Sequence, residues 1–198
     1  MNQNIKRMAT ILAAVVISVI LFCCPAFGSG LPPEKGDLLP DIALPVPDNP
    51  SQRSYLGLSD QTVFKIPEIK AKVVIIEIFS MYCPYCQREA EEVNRLYSII
   101  ENDPTLKDKI KVIGIGTGNS TFEVEVFRNK FSVPFPLIAD ENYSVHKSFG
   151  EVRTPYFLGV KINEDGTHRV FYSKPGEFNG AEQFLELMLR LSGLIQGK

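Results

Sequence analysis

Cys83 and Cys86 are two thiols with only Pro84 and Tyr85 between them, set between an apolar run and an amphipathic one. The run before them, Val73-Val74-Ile75-Ile76-Glu77-Ile78-Phe79, has the composition of a buried strand, and residues 87–101 read as a helix. A Cys-x-x-Cys at such a junction sets the first sulfur at a helix N-terminus, where unpaired backbone N–H groups and the macrodipole favour an anion. The thiol pKa falls there, and the thiolate, which is the reactive species, becomes available near neutral pH. Cys86 lies about one turn further in, near enough to close a small disulfide. That arrangement suits thiol–disulfide exchange. The bland alternatives are a static bridge or two inert buried cysteines.

The elements that must hold this pair follow from periodicity. Residues 72–79 are expected as a central strand and 84–100 as a helix with Ala90, Val93, Leu96, Tyr97 and Ile100 on one face. Residues 111–115 are a second buried strand, and Ser120 or Thr121 caps a helix through Lys130 that turns Phe122, Val126 and Phe127 inward. After an extended piece at 135–139 and a short helix within 140–149, strands 156–161 and 168–172 flank the hairpin turn Asn163-Glu164-Asp165-Gly166. A last helix at 180–192 buries Phe184, Leu187, Met188 and Leu191. Residues 55–69 supply a short hairpin or edge strand. The alternation gives an α/β class: a mixed sheet flanked by helices.

The chain has 198 residues, 44% of them hydrophobic, which is enough for one good core. Residues 1–28 read as a signal peptide or an N-terminal membrane anchor. Lys6 and Arg7 precede an almost wholly apolar stretch, and Ala26-Phe27-Gly28 offers small residues for cleavage. A lipid-attachment reading of Cys23 or Cys24 is poor because bulky Phe22 precedes them. Either route exports the remainder, periplasmic or otherwise extracytoplasmic, soluble or tethered to the membrane. Residues 29–50, with Pro32, Pro33, Pro40, Pro45, Pro47 and Pro50, form an extended lead-in with one short strand near Ile42 and Leu44, and 51–198 the folded domain. Without Lys6 and Arg7 the formal net charge moves from −2 to −4, and no basic stripe with interleaved aromatics occurs, so nucleic acid is excluded as a partner. Because Cys23 and Cys24 sit in the export segment, the mature domain keeps a single close pair, which is a working arrangement rather than a stapling one.

With strand, Cys83-Pro84-Tyr85-Cys86, long helix, a downstream Thr154-Pro155, a β-hairpin and a terminal helix, residues 38–192 resemble the thioredoxin fold. The inserted strand and helix at 111–130 and the export segment resemble its TlpA/ResA-like exported branch. The fold so implied is a thioredoxin-like three-layer α/β/α sandwich with a mixed central sheet and an inserted β-α element. The resemblance implies that Cys83 attacks a substrate disulfide and that Cys86 resolves the mixed disulfide. Glu77, six residues before Cys83, matches the family's buried acid; burial there raises its pKa and suits it to take the proton of Cys86 through water. Pro155 matches the cis-proline loop, whose backbone lies beside the cysteines, so that Thr154 and Pro155 pair with an extended substrate.

Pro84 and Tyr85 form the dipeptide of glutaredoxins and imply an intermediate poise of about −200 mV. Tyr82 stands where the family usually has Trp, and it completes the substrate face with Pro84, Tyr85, Thr154 and Pro155. The implied activity is a thiol–disulfide oxidoreductase of exported proteins, reductase rather than oxidase, acting for example in cytochrome c maturation or disulfide repair. It needs no cofactor beyond its own disulfide, and a membrane electron donor would feed it.

Two other classes compete. A peroxiredoxin-like thiol peroxidase shares the fold, with Ser80 three residues before Cys83 and Arg153 in reach, but Ile76 stands where that family has proline. A non-enzymatic metal- or partner-binding module would need His146 or His168 to join the cysteines. No metal site is expected, and Gly114-Ile115-Gly116-Thr117-Gly118 is too short for a dinucleotide fingerprint.

Overall fold

The structure is a computed structural model and describes residues 30–195. The export segment expected at 1–28 lies outside the described residues. In chain order, a short strand β1 (Leu44–Pro45) is followed by helix α1 (Pro50–Leu56). Strand β2 (Val63–Phe64) then pairs antiparallel with β1, and a 3-10 turn (Ile66–Glu68) follows. Strand β3 (Val73–Phe79) leads into the long helix α2 (Pro84–Asn102). Next come strand β4 (Ile110–Thr117), helix α3 (Thr121–Phe131), strand β5 (Leu137–Asp140) and the five-residue helix α4 (Ser144–Ser148). The hairpin β6 (Tyr156–Ile162) and β7 (His168–Pro175) and the last helix α5 (Ala181–Ser192) complete the order.

The main sheet has the order β5-β4-β3-β6-β7, with β4 parallel to β3 and β5, and β6 antiparallel to β3 and β7. All seven residues of β3 are buried, because helices or loops cover both sheet faces and a run of Val and Ile tolerates that. Its side chains alternate between two cores. Val73, Ile75 and Phe79 face α2, α3 and α5 through Val93, Leu96, Phe127, Phe184 and Met188. Val74, Ile76 and Ile78 face the opposite layer, built from Leu39, Ile42, Leu44, Leu56, Phe64, Ile66, Val145 and Phe149. The result is the expected three-layer α/β/α sandwich with a mixed sheet, and β4 with α3 is the inserted element. In β4, a Cβ at Gly114 would come within 2.5 Å of the Leu137 side chain, so β4 and its neighbours close up only on glycine.

Three local expectations differ from the structure. Residues 50–56, between the lead-in expected to end at 50 and the hairpin or edge strand expected from 55, form a helix, because Asn49 caps it through the Ser51 amide, Pro50 stands at its first turn, and Gly57 ends it at φ 68°. The pairing expected within 55–69 is reduced to β2 against β1. In α3, Phe122 is 76% exposed, and the inward face is Val124 and Phe127. Ser120 sets that helix's phase through a capping box with Glu123, which leaves Phe122 on the outer side of the first turn. Leu39, Ile42 and Leu44 of the proline-rich stretch are buried in the second core.

Candidate active site

Cys83 is the N-cap of α2 and Pro84 its first helical residue, where the missing proline N–H costs nothing. Ser80 accepts the Cys83 amide at 3.0 Å, closing a tight turn out of β3. Two side chains hold that turn: Asn119 Oδ1 accepts the Met81 amide at 2.8 Å, and Gln87 Nε2 donates to the Met81 carbonyl at 2.7 Å. The antiparallel register of β3 and β6 pairs Ile78 with Tyr156, so the chain just before Tyr156 must lie beside the chain just after Phe79. The Thr154–Pro155 peptide is cis, and the Thr154 carbonyl accepts the Cys83 thiol at 3.3 Å.

The two thiols are free and their environments oppose one another. Burial is the largest single influence on Cys83 and pushes its pKa up. It is outweighed by the Thr154 side chain, the Cys86 amide and thiol, and the Tyr85 amide, which together hold the Cys83 thiol below its ordinary value. Cys86 is fully buried, and burial pushes its thiol far up, with the charge of Glu77 adding to the shift. Glu77 is only 3% exposed, and its Oε1 has no hydrogen-bond partner. Burial raises its pKa to about 8, helped by repulsion from Glu89 and Cys83. The structure thus brings Cys83, Cys86, Glu77, Thr154 and Pro155 together.

Tyr82 and Tyr85 frame the site outside, 65% and 55% exposed. The Tyr82 hydroxyl donates to Glu123, and the Arg88 guanidinium lies 4.4 Å over the Tyr85 ring while pairing with Glu177. His146 bonds the Val152 carbonyl, whereas His168 pairs with Ile162 at the end of β7 remote from Tyr156. Among the described residues no group of three His, Cys, Asp or Glu is placed to hold a metal ion.

Sequence reasoning missed Glu89 and Asn119. Glu89 is buried one turn beyond Cys86 and accepts the Phe178 amide at 2.9 Å. Burial raises its pKa to about 7 against the pull of that amide, and Glu177 and Glu92 add to the rise. A signal was there: Cys86, Glu89, Ala90 and Val93 follow the spacing of one buried helix face. Nothing comparable marks Asn119.

The AhpC/TSA family model matches residues 36–173, which contain both cysteines, Glu77 and the cis-proline loop. The chain belongs to the AhpC/TSA family. This member of the family is 23% identical over 124 residues to the thiol-disulfide oxidoreductase ResA of Halalkalibacterium halodurans, covering 63% of this chain and 66% of that one. It is 24% identical over 86 residues to ResA of Geobacillus thermodenitrificans, covering 43% and 47%. The matches thus span between about half and two thirds of the length of these curated relatives. Among solved structures, a Chlorobium tepidum protein described as thiol:disulfide interchange protein DsbE superposes with a TM-score of 0.59 at 18% identity, over 81% of this chain and 98% of that one. StoA from Bacillus subtilis superposes at 0.50 and 22%, over 64% and 89%. These likenesses establish the thioredoxin-like fold for this AhpC/TSA chain.

Proposed function

We propose that this chain is an exported thiol–disulfide oxidoreductase that reduces disulfides of other exported proteins through Cys83 and Cys86. The observation that carries the reading is the opposed environment of the two sulfurs: one thiol lowered and partly open at a helix tip, the other buried and raised. An attacking thiol needs thiolate character and access; a resolving thiol needs to wait until the mixed disulfide exists. The ResA relatives are named thiol-disulfide oxidoreductases, which supports the exchange chemistry.

In this reading the Cys83 thiolate attacks a substrate sulfur, and the substrate disulfide breaks to leave one thiolate. Glu77, with a pKa of about 8, is mostly protonated near neutral pH, and its minor ionised form accepts the Cys86 proton as Cys86 attacks the Cys83 sulfur. The second substrate thiolate leaves and the Cys83–Cys86 disulfide remains. Proton transfer between the two groups avoids two negative charges in one buried space. The backbone of half-buried Thr154 and the exposed rings of Tyr82 and Tyr85 supply the docking face for an extended segment.

The Cys83 thiol is lowered on balance, which gives it the thiolate character needed to attack a substrate disulfide in the reductase direction. A membrane dithiol donor would then restore the reduced pair. Equilibration of the full chain with glutathione tests the direction: a potential well below the glutathione poise supports a reductase, and one well above it makes the protein an oxidase. Peroxide consumption by the reduced protein would instead favour the thiol peroxidase reading.

A further inference from the structure

A shallow pocket of about 430 Å³ adjoins the reactive thiol, lined by Ser80, Thr117, Tyr143, His146, Arg153 and Thr154 among others. Two of these residues already touch Cys83: Ser80 accepts its amide and Thr154 its thiol. The pocket sits where β3, β4 and β5 end together, since Phe79 pairs with Gly116 and Thr117 with Asp140. The carboxyl ends of parallel strands are where open α/β sheets bind ligands.

Donors dominate its chemistry. The Thr117 hydroxyl is buried without a hydrogen-bond partner, the one hydroxyl so left among the described residues. Buried donors without acceptors cost free energy until an acceptor arrives. Arg153 is exposed on the rim and makes no ion pair among the described residues. The neighbouring acids compete weakly. Asp140 is turned into α4 by Ser144 Oγ and the Val145 and His146 amides, and Glu151 lies out in solvent.

We propose that this pocket is a subsite for a carboxylate carried close to the disulfide of the substrate, with Arg153 as its cation. This rests on the oxidoreductase reading above. The chemistry balances without further reagents in a single turnover. The Cys83–Cys86 dithiol is oxidised to its disulfide, the substrate disulfide is reduced to two thiols, and the two protons pass from protein to product.

The test mixes the pre-reduced full chain with small disulfides of different charge, quenches by alkylation and reads the oxidised fraction by mass. The dianion 3,3′-dithiodipropionate should oxidise the protein roughly threefold to fivefold faster than neutral 2-hydroxyethyl disulfide, the scale of one exposed ion pair, and the dication cystamine should be slowest. Arg153→Gln should bring the dianion-to-neutral ratio close to one, Arg153→Lys should keep most of it, and Thr117→Val should lower it in part. Equal rates in the wild type, or an unchanged ratio in Arg153→Gln, overturn the subsite. If even the neutral disulfide fails to oxidise the pair, the oxidoreductase reading falls and the subsite with it. Peptide disulfides with Glu, Gln or Lys beside the cysteine identify the source. A Glu preference that Arg153→Gln removes assigns the subsite to an acidic protein segment, and its absence there assigns it to a small carboxylated disulfide.

Discussion

Replacing Glu77 by Gln should stabilise the protein, and by an amount that grows with pH. Glu77 has a folded-state pKa of about 8 against an ordinary 4.5, with burial as the main cause. Below the ordinary value both folded and unfolded chains hold the proton, and the carboxyl costs nothing. As pH rises, the unfolded chain releases its proton while the folded one keeps it until about pH 8, so stability is lost throughout that window. With 1.36 kcal/mol per pKa unit, linkage gives a wild-type deficit relative to a neutral side chain of about 1 kcal/mol at pH 5, 3 at pH 7 and 5 at pH 9. Gln fills similar space and cannot ionise. Urea unfolding of the Cys86→Ser protein with and without Glu77→Gln, at those three pH values, measures the difference without interference from disulfide formation or Cys86 ionisation. A gap that widens by several kcal/mol from pH 5 to 9 is expected. A gap that stays flat or narrows would show that Glu77 ionises freely in the fold, and its role as a proton acceptor for Cys86 would lose its basis.

Four further outcomes follow from the geometry. The rate of iodoacetamide modification of the reduced protein should titrate below the ordinary thiol value of 9.0, with label found on Cys83 and little on Cys86, as peptide mass mapping will show. Glu89→Gln should shift the Glu77 titration toward lower pH, since Glu89 is the largest charge opposing it; the Glu77-dependent stability loss still begins near the ordinary carboxyl value but levels off at lower pH and is smaller in total. Leu44→Ala, in the proline-rich stretch, should cost about 2–5 kcal/mol in denaturant unfolding because the side chain is buried in the second core. Ser120→Ala should cost about 1 kcal/mol by loss of the cap on α3, and near-zero cost would mean that Glu123 alone holds that terminus.

The chemistry-bearing half of the fold was legible because its signals are local and strong. A Val/Ile run interrupted only by Glu77 dictates a strand buried on both faces, and Cys83-Pro84 marks a helix start by the same rules that make the thiol reactive. The Asn163–Gly166 turn fixed the hairpin, with Gly166 at φ 80°. Reading failed where long-range packing or one capping contact decides. Phe127 faces inward as expected, but Phe122 makes as plausible an inner residue as Val124 until the choice between Ser120 and Thr121 as cap is settled. The short strand at Leu44–Pro45 was legible near Ile42 and Leu44, whereas helix α1 was missed although Asn49, Pro50 and Gly57 are its local signals. Asn119 illustrates the limit best: it holds the Met81 amide from 38 residues away, and only the pairing of β3 with β4 brings the two together.

Glu89 joins these threads. Helical spacing already puts it on the buried face with Cys86, yet an acid in that position reads as a solvated charge unless the opposite wall is known. The wall is β3, where Glu77 stands. Two carboxyls then share the apolar space beneath the resolving cysteine, and Glu77 feels the repulsion because it is the one without a hydrogen bond, while the Phe178 amide steadies Glu89. That asymmetry assigns the parts. The unpartnered acid is the one whose proton is free to move, and the tethered acid sets how readily it moves. A pair so arranged keeps Glu77 close to half-titrated just above neutral pH, where a proton acceptor for a buried thiol works best. With Glu89 neutralised, Glu77 becomes a stronger acid and a weaker base. Release of product from the mixed disulfide should then reach its plateau at lower pH and run slower than wild type only above about pH 8, while the first attack by Cys83 is unchanged, and rapid-quench trapping across pH will separate the two steps.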